Sequence, residues 1–240
     1  MWLMTTKNRP KAAEQTLQAC WDTGMRQPGI VYVDGPDHKQ YDNIKLPDNW
    51  EMVKWVDVGG IGNLAGSKQY VFENYPDERV YGWVSDDNIP ITPEWSYIIE
   101  DRADPWFLVH CRDMWLSEND DTRKPLEETR NLGGGICWGG DLVRCVGWWA
   151  PPGIIQGSID WTWTSMVGDT PLGVYLHDVI VRHDNWRTGK REKDDNDNVK
   201  KPHVLKDIAY ISVFRQSKEF ATIRERVCRG YLNWKAKTTQ

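Results

Sequence analysis

The sequence predicts an α/β fold in which helices flank a mostly parallel, Rossmann-like central sheet, followed by a C-terminal helical appendage. Short apolar runs of strand length alternate with segments whose apolar residues recur at helical spacing. The run "GIVYVDG" is apolar without interruption, as expected for a strand that is covered on both faces. With 240 residues, of which 40% are hydrophobic, the chain is long enough to bury one main core.

The first part of the chain predicts the order strand, helix, strand, helix, strand. "MWLMTT" is a strand, and Pro10 suits the first residue of a helix that ends near Gly24. After "GIVYVDG", an apolar stripe over residues 61–75 predicts a second helix, and "RVYGWVS" predicts the next strand. Thr92 and Pro93 predict the cap and the first residue of a further helix.

The second part predicts a strand at "PWFLVHC", a surface loop over 117–131, short helices at "GGDLVRCVGWW" and "SIDWTWTSMV", and a strand at "GVYLHDVIVRH". "LGGGICWGG" lacks the G-K-[ST] ending of a phosphate loop, so we expect it to shape a flexible loop. A charged loop over 184–202 precedes a helical C-terminus. We therefore expect a main α/β domain over 1–195 and a basic helical segment over 196–240 that packs on it.

Composition limits the class of protein. The five cysteines are scattered without C-x-x-C spacing, which argues against a disulfide framework or a zinc site. The apolar runs are too short for a secretory signal or a membrane span, so we expect a cytoplasmic protein with no membrane partner. Residues 181–240 hold 15 Lys/Arg and 8 Asp/Glu, a net +7, whereas the whole chain carries −5. This asymmetry indicates either an anionic partner or a solvated charged face.

Polar residues follow three of the predicted strands. Thr5 to Arg9 follow the first, Asp34 ends the second, and Asp86 with Asp87 ends the third. In a parallel sheet these ends meet at one edge, where open α/β sheets bind ligands. Two adjacent carboxylates need a compensating cation, and Mg²⁺ or Mn²⁺ prefers carboxylate oxygen. The alternative is that these acids only serve turns and helix caps.

Several of these segments, in this order, resemble the glycosyltransferases of the GT-A fold, especially the family-2-like group. The segments are "TTKNRP", "VYVDG", "GWVSDDNIPITPEW", "GGDLVRCVGWW", "GSIDWTW" and "VIVRHDNWRTGK", and the resemblance covers roughly residues 1–195. The D-x-D motif usual in this family is replaced here by "SDDN", Ser85 to Asn88.

The resemblance implies that the protein binds a nucleotide-sugar donor, with a UDP-sugar favoured. It assigns four residues to this donor. Thr5 and Arg9 would lie by the nucleotide, Asp34 would accept a hydrogen bond from the base, and Asp86 would face the ribose.

The resemblance also implies a metal site and a catalytic base. Asp87 would bind Mn²⁺ or Mg²⁺, and His183 would reach the metal or the diphosphate, although Asn185 stands where relatives often have a second histidine. Asp160 in "GSIDWTW" matches the base of inverting members, which takes the acceptor hydroxyl's proton as the hydroxyl attacks the anomeric carbon.

The acceptor is left open by the sequence. The expected acceptor or phosphate contacts are Trp161, Lys190, Arg215 and Lys218. In addition, Arg215, Lys218, Arg226 and Arg229 are predicted to share one helix face. A hydroxymethylated base in DNA would suit this basic region, and a glycan or small hydroxyl compound is the alternative acceptor. Outside the transferases, a sugar-nucleotide pyrophosphorylase and a non-catalytic carbohydrate-binding module are the competing functions.

Overall fold

A computed structural model describes residues 1–35, 38–55, 64–113, 135–155, 157, 159–168, 170–184 and 195–239. Within these ranges eight strands form one sheet in the order β3-β2-β1-β4-β7-β6-β8-β5. The strands are β1 (Trp2–Thr6), β2 (Gly29–Asp34), β3 (Trp50–Trp55), β4 (Val80–Ser85), β5 (Asn88–Pro90), β6 (Leu108–Asp113), β7 (Ile136–Gly139) and β8 (Gly173–His183). The α/β class is confirmed. The strands predicted at "MWLMTT", "GIVYVDG", "RVYGWVS", "PWFLVHC" and "GVYLHDVIVRH" are also present.

Seven α-helices cover the sheet in the described part of the chain, together with a single 3-10 turn at His38–Tyr41. They are α1 (Pro10–Asp22), α2 (Leu64–Asn74), α3 (Trp95–Ala103), α4 (Gly140–Val146), α5 (Ile159–Val167), α6 (Asp195–Phe214) and α7 (Lys218–Thr238). Pro10 begins α1, as predicted, because its fixed φ and missing N–H suit the first helical position. None of the described helices combines the length and apolar character that a bilayer crossing requires.

The strand directions place six carboxyl ends at one edge of the sheet. β1 pairs in parallel with both β2 and β4, and β2 pairs in parallel with β3. β7 lies antiparallel between β4 and β6, so β6 again runs in the direction of β4, and β8 is parallel to β6. The carboxyl ends of β1, β2, β3, β4, β6 and β8 therefore share one edge.

Apolar side chains form a core on each face of the sheet. One core joins β1 to α1 and α3, and the other joins the sheet to α2, α4, α5 and the two C-terminal helices. Indoles supply much of the burial, as the sequence suggests: Trp2, Trp95, Trp138, Trp149 and Trp163 are almost fully buried.

The glycine-rich segment differs from its prediction. Ile136–Gly139 is the buried strand β7 and not part of a flexible loop, whereas residues 132–134 lie outside the described ranges. A Cβ on Gly139 would stand 2.2 Å from the Pro105 carbonyl oxygen, and one on Gly140 would stand 2.1 Å from that of Glu78. These two glycines therefore permit close packing of the backbone.

Helix boundaries account for two further differences. Thr92 does not cap α3, because its hydroxyl accepts a hydrogen bond from the Ile180 N–H, 2.8 Å away, and the helix begins three residues later at Trp95. The charged loop predicted to reach residue 202 ends earlier, because α6 begins at Asp195. The predicted loop over 117–131 lies outside the described residues.

The strands β3 and β5 were not predicted: β3 carries Glu51 and Lys54 among its apolar residues, and β5 has only three residues.

Candidate functional site

The shared edge of the sheet gathers polar residues from five strands. Thr6 ends β1, Asp34 ends β2, Asp86 follows β4, Asp113 ends β6 and His183 ends β8. Asp34, Asp86 and Asp113 are all buried, although each carries a carboxyl group. Buried acids need hydrogen-bond donors or cations, so their partners define the site.

Asp86 is held by the loop between β1 and α1. The Thr6 hydroxyl donates to its Oδ2 at 2.8 Å, and Arg9 Nη1 donates to its Oδ1 at 3.4 Å. The Thr16 hydroxyl donates to the Asp86 backbone carbonyl at 3.0 Å, which ties α1 to the same corner. The predicted contact of Asp86 with a ribose stays a prediction, and in this structure both carboxylate oxygens face groups of the chain itself.

Asp87 lies between two basic side chains. Its Oδ1 is 3.4 Å from His183 Nε2, and its Oδ2 is 3.9 Å from Arg9 Nη1. Burial raises the pKa of Asp87, but the hydrogen bond and charge of His183, together with Ser85 and Arg9, outweigh burial and hold this pKa well below its ordinary value. Asp87 is therefore a carboxylate, and positive charge surrounds it.

Asp113 completes this arrangement and was missed by the sequence analysis. Its Oδ2 is 3.0 Å from His183 Nδ1, so His183 bridges Asp113 and Asp87. Burial lowers the pKa of His183, but the two carboxylates outweigh burial and raise it to about 10. One feature of the sequence could have indicated Asp113, because this residue ends a strand as Asp34 does.

The pair Asp87 and His183 fits a divalent metal. Two neighbouring ligands of an octahedral Mg²⁺ or Mn²⁺ ion lie about 3 Å apart, close to the 3.4 Å between Asp87 Oδ1 and His183 Nε2. Asp113 would orient the ring from its far nitrogen, as carboxylates do for metal-bound histidines. Among the described residues, no group of three or more His, Cys, Asp and Glu side chains could hold an ion. The remaining ligands would come from a bound diphosphate and water.

The residues predicted to bind nucleotide lie on β1, on the loop that follows it and at the end of β2. Thr5 Oγ1 accepts a hydrogen bond from Trp83 Nε1 at 3.2 Å. Tyr41, which the sequence did not indicate, bonds the Thr6 hydroxyl at 3.0 Å and accepts the Arg9 N–H at 2.8 Å. The 3-10 turn after β2 thereby fixes the loop that carries Arg9. The predicted role of Asp34 toward the base stays a prediction.

Asp160 lies in the first turn of α5, where a carboxylate is favoured by the helix dipole. The residue as a whole is half-buried. Desolvation of its carboxyl group raises the pKa of Asp160 to about 6, against the lowering effect of the Trp161 and Asp160 backbone N–H groups and of Lys68. Asp160 is thus ionised at neutral pH and still basic enough to accept a proton.

The predicted acceptor contacts are brought together in part. The Arg215 guanidinium lies 4.6 Å from the centre of the Trp161 ring, whereas Lys218 is exposed at the start of α7. Lys190 lies outside the described residues. The prediction that Arg215 shares a helix face with Lys218 is wrong, because Arg215 belongs to the connection between α6 and α7.

The other two cations of the predicted basic face have partners within the chain. Arg226 Nη2 donates to the Val146 carbonyl at 2.9 Å, and Arg229 pairs with Glu225 at 2.9 Å. The buried residues of α7 are Phe220, Ile223, Val227 and Tyr231, and the first three are those predicted for its apolar face.

Comparison with solved structures finds similar folds at very low sequence identity. TarS from S. aureus, residues 1–349, is 10% identical with a TM-score of 0.54, and the match covers 76% of this chain and 59% of TarS. GalNAc-T7 in complex with UDP, GalNAc and Mn²⁺ is 12% identical with a TM-score of 0.56, covering 76% of this chain and 43% of that one. This chain thus spans about half the length of these two proteins.

A third solved structure matches over more of the chain. Glucosyl-3-phosphoglycerate synthase from Mycobacterium tuberculosis, in complex with Mn²⁺, UDP and phosphoglyceric acid, is 10% identical with a TM-score of 0.53, covering 94% of this chain and 77% of the synthase. No protein-family model and no curated protein matches the sequence. The structural matches establish the GT-A fold that the sequence resemblance implied.

His183 makes folding stability depend on pH in a defined window. Its folded pKa of about 10 exceeds the ordinary value of 6.5, so its stabilising effect is complete below pH 6.5 and is lost as pH rises through about 10. We expect His183→Gln to lower the free energy of unfolding most at pH 6, with the difference from wild type shrinking toward pH 10. Urea denaturation in chelator-treated buffer measures this.

The matched control is His177→Gln, an exposed position on the same strand. This variant should follow the wild-type curve. A His183→Gln deficit that stays constant from pH 6 to pH 10 would contradict the ion-pair assignment.

Proposed function

We propose that this protein is a metal-dependent glycosyltransferase that moves a sugar from a nucleotide-diphosphate donor to a hydroxyl acceptor with inversion. The observation that carries the proposal is the pairing of Asp87 with His183 at the carboxyl edge of a GT-A sheet. Open α/β sheets bind ligands at this edge, and a carboxylate with an imidazole 3.4 Å away suits a divalent ion.

The donor would lie over the loops at the ends of β1, β2 and β4. Mn²⁺ or Mg²⁺, held by Asp87 and His183, would neutralise the diphosphate and so assist its departure. In the metal-free protein the His183 imidazolium supplies positive charge at the same place. Thr5, Arg9 and Asp34 would contact the nucleotide. UDP is the favoured nucleotide, supported by the UDP and Mn²⁺ in the GalNAc-T7 and synthase structures.

Asp160 would be the general base. As the acceptor oxygen forms its bond to the anomeric carbon and the bond to the diphosphate breaks, the hydroxyl proton passes to the Asp160 carboxylate. A pKa of about 6 supports this role, because such a carboxylate is ionised at neutral pH and a stronger base than an ordinary aspartate. Trp161, the next residue in the chain, and the Arg215 guanidinium that stacks on its ring would border the acceptor.

A small hydroxyl compound or glycan is favoured as the acceptor over hydroxymethylated DNA. The net +7 of residues 181–240 motivates the DNA alternative. Against it, Arg226 and Arg229 already contact the chain itself, which leaves fewer cations for phosphates.

The function is tested by incubating the protein with UDP-, GDP- and dTDP-sugars, each with Mn²⁺, Mg²⁺ or chelator. The acceptors are a hydroxyl-compound library, glycans, and DNA with or without hydroxymethylated bases. Mass spectrometry should detect a sugar-sized mass increase on one acceptor that chelator abolishes. Transfer to DNA alone would reverse the acceptor preference, and absence of both transfer and donor hydrolysis throughout the panel would contradict the enzyme.

Asp87→Ala should abolish metal-dependent donor binding, because it removes the anionic ligand of the cation that offsets the diphosphate. Calorimetry of donor binding with and without Mn²⁺ measures the effect. Asp178→Ala, at an exposed position on β8, is the control and should bind as wild type does. If folded Asp87→Ala keeps its metal dependence, the ligand is Asp86 or another residue.

Asp160→Asn should keep donor and metal affinity while turnover falls about 10²- to 10⁴-fold, because the amide keeps the shape but cannot take the proton. Wild-type turnover should also decline as pH falls below about 6, where Asp160 becomes protonated. Initial rates from pH 4.5 to pH 8 measure both effects.

The exposed Asp101→Asn serves as the matched control. Because burial of the Asp160 carboxylate is unfavourable, Asp160→Asn should be at least as stable as wild type at neutral pH. Near-normal transfer by Asp160→Asn excludes this residue as the base, and a product of retained configuration excludes single displacement.

A further inference from the structure

A buried carboxylate on α6 holds the loop that precedes α5, and the proposed chemistry assigns it no role. This residue is Asp207, of whose surface only 3% is exposed. Its Oδ2 accepts a hydrogen bond from the Gly157 N–H at 2.8 Å, and both of its carboxylate oxygens lie 3.3 Å from the Ile155 nitrogen. A buried carboxylate needs such donors, and in return it fixes the backbone that supplies them.

The same loop is also held from the side of α2. The Ile155 carbonyl accepts a hydrogen bond from the Ala65 N–H at 3.1 Å, in the first turn of α2, where N–H groups have no partner within the helix. On the side of α6, a Cβ added to Gly157 would lie only 3.2 Å from Val204 Cγ2. The backbone of this loop is therefore fixed between two helices that are distant in sequence.

The loop leads directly to the candidate base. Helix α5 begins at Ile159, so Gly157 stands three residues before Asp160. On the other side of the base, the Arg215 guanidinium, directly after the end of α6, lies 4.6 Å from the centre of the Trp161 ring. Helix α6 and the residue that follows it thus contact the chain on both sides of Asp160.

The position of the first turn of α5 matters because a general base must lie within hydrogen-bond reach of the proton that it accepts. The next turn of the helix is held separately, since the buried Trp163 donates its Nε1–H to the Trp149 carbonyl at 2.8 Å. Loss of the Asp207 contacts should therefore loosen the start of α5 without unfolding the helix.

We propose that Asp207 is a positioning residue: its carboxylate anchors the loop at the start of α5 and so holds Asp160 where the acceptor hydroxyl binds. The catalytic half of this inference rests on the proposed function, whereas the anchor itself does not. Helix α6 is then part of the acceptor side of the site as well as a packing element.

Hydrogen exchange followed by NMR of ¹⁵N-labelled protein tests the anchor. In the wild type the Ile155 and Gly157 amides should exchange slowly. Asp207→Ala should accelerate both by about tenfold or more, as expected for losing a hydrogen bond to a charged acceptor. Asp207→Asn keeps one carbonyl acceptor and should lie between the two. Lys206→Ala, at an exposed position on the same helix, is the matched control and should follow the wild type.

Turnover tests the positioning role. Asp207→Ala should lower turnover about 10- to 10²-fold, the cost of misplacing a reacting group by about 1 Å, while donor affinity measured by calorimetry with Mn²⁺ stays unchanged. Asp207→Asn should recover part of the loss, and Lys206→Ala should lose nothing. In the Asp160→Asn background the same Asp207→Ala substitution should have almost no further effect, because a base that has been removed cannot be misplaced.

Each measurement has an outcome that contradicts the proposal. Fast exchange of both amides in the wild type overturns it without any variant, and so does unchanged exchange in folded Asp207→Ala. An equal fall in turnover with and without Asp160 also overturns it and leaves Asp207 with a purely structural role. Accelerated exchange in Asp207→Ala, when the wild type transfers no sugar to any acceptor, supports the anchor and contradicts the glycosyltransferase.

Discussion

The arrangement of this protein depends on basic side chains that compensate the charge of two adjacent buried carboxylates. Asp86 and Asp87 follow a central strand, where like charges side by side are unfavourable without cations or donors. Arg9 reaches both of them, and His183 reaches Asp87 from β8. Because these partners come from opposite sides of β4 in the sheet, the charges hold together the ends of strands that are distant in sequence. The polar edge of the fold depends on this compensation.

Further buried groups follow the same rule. The second carboxylate at His183, Asp113, makes a bridge in which one imidazole joins two acids. On the face of the sheet that packs against α2 and α5, the Lys68 amino group is enclosed by three indole rings. Each of these charges costs free energy to bury, and such groups are common where a site must hold ligands in a fixed geometry. The proposed donor and acceptor chemistry would use these buried charged groups.

Most of the fold could be predicted because its strands are unbroken apolar runs and its helices have regular apolar stripes. "GIVYVDG" and the stripe around Ala13 and Leu17 are examples, and both appear as expected. Prediction failed where tertiary contacts override local signals. Thr92 looks like a helix cap but bonds to β8, and the glycines of "ICWGG" look flexible but let backbones pack closely.

The sequence by itself determined the α/β class, the order of the main elements and the acids at the ends of β2 and β4, since these depend on local periodicity and on where apolar runs stop. Only the tertiary structure decided which charges meet. His183 lies 70 residues from Asp113 along the chain, and Arg9 lies 77 residues from Asp86. Such pairs leave no local pattern, because the sheet order and the packing of helices on it bring them together.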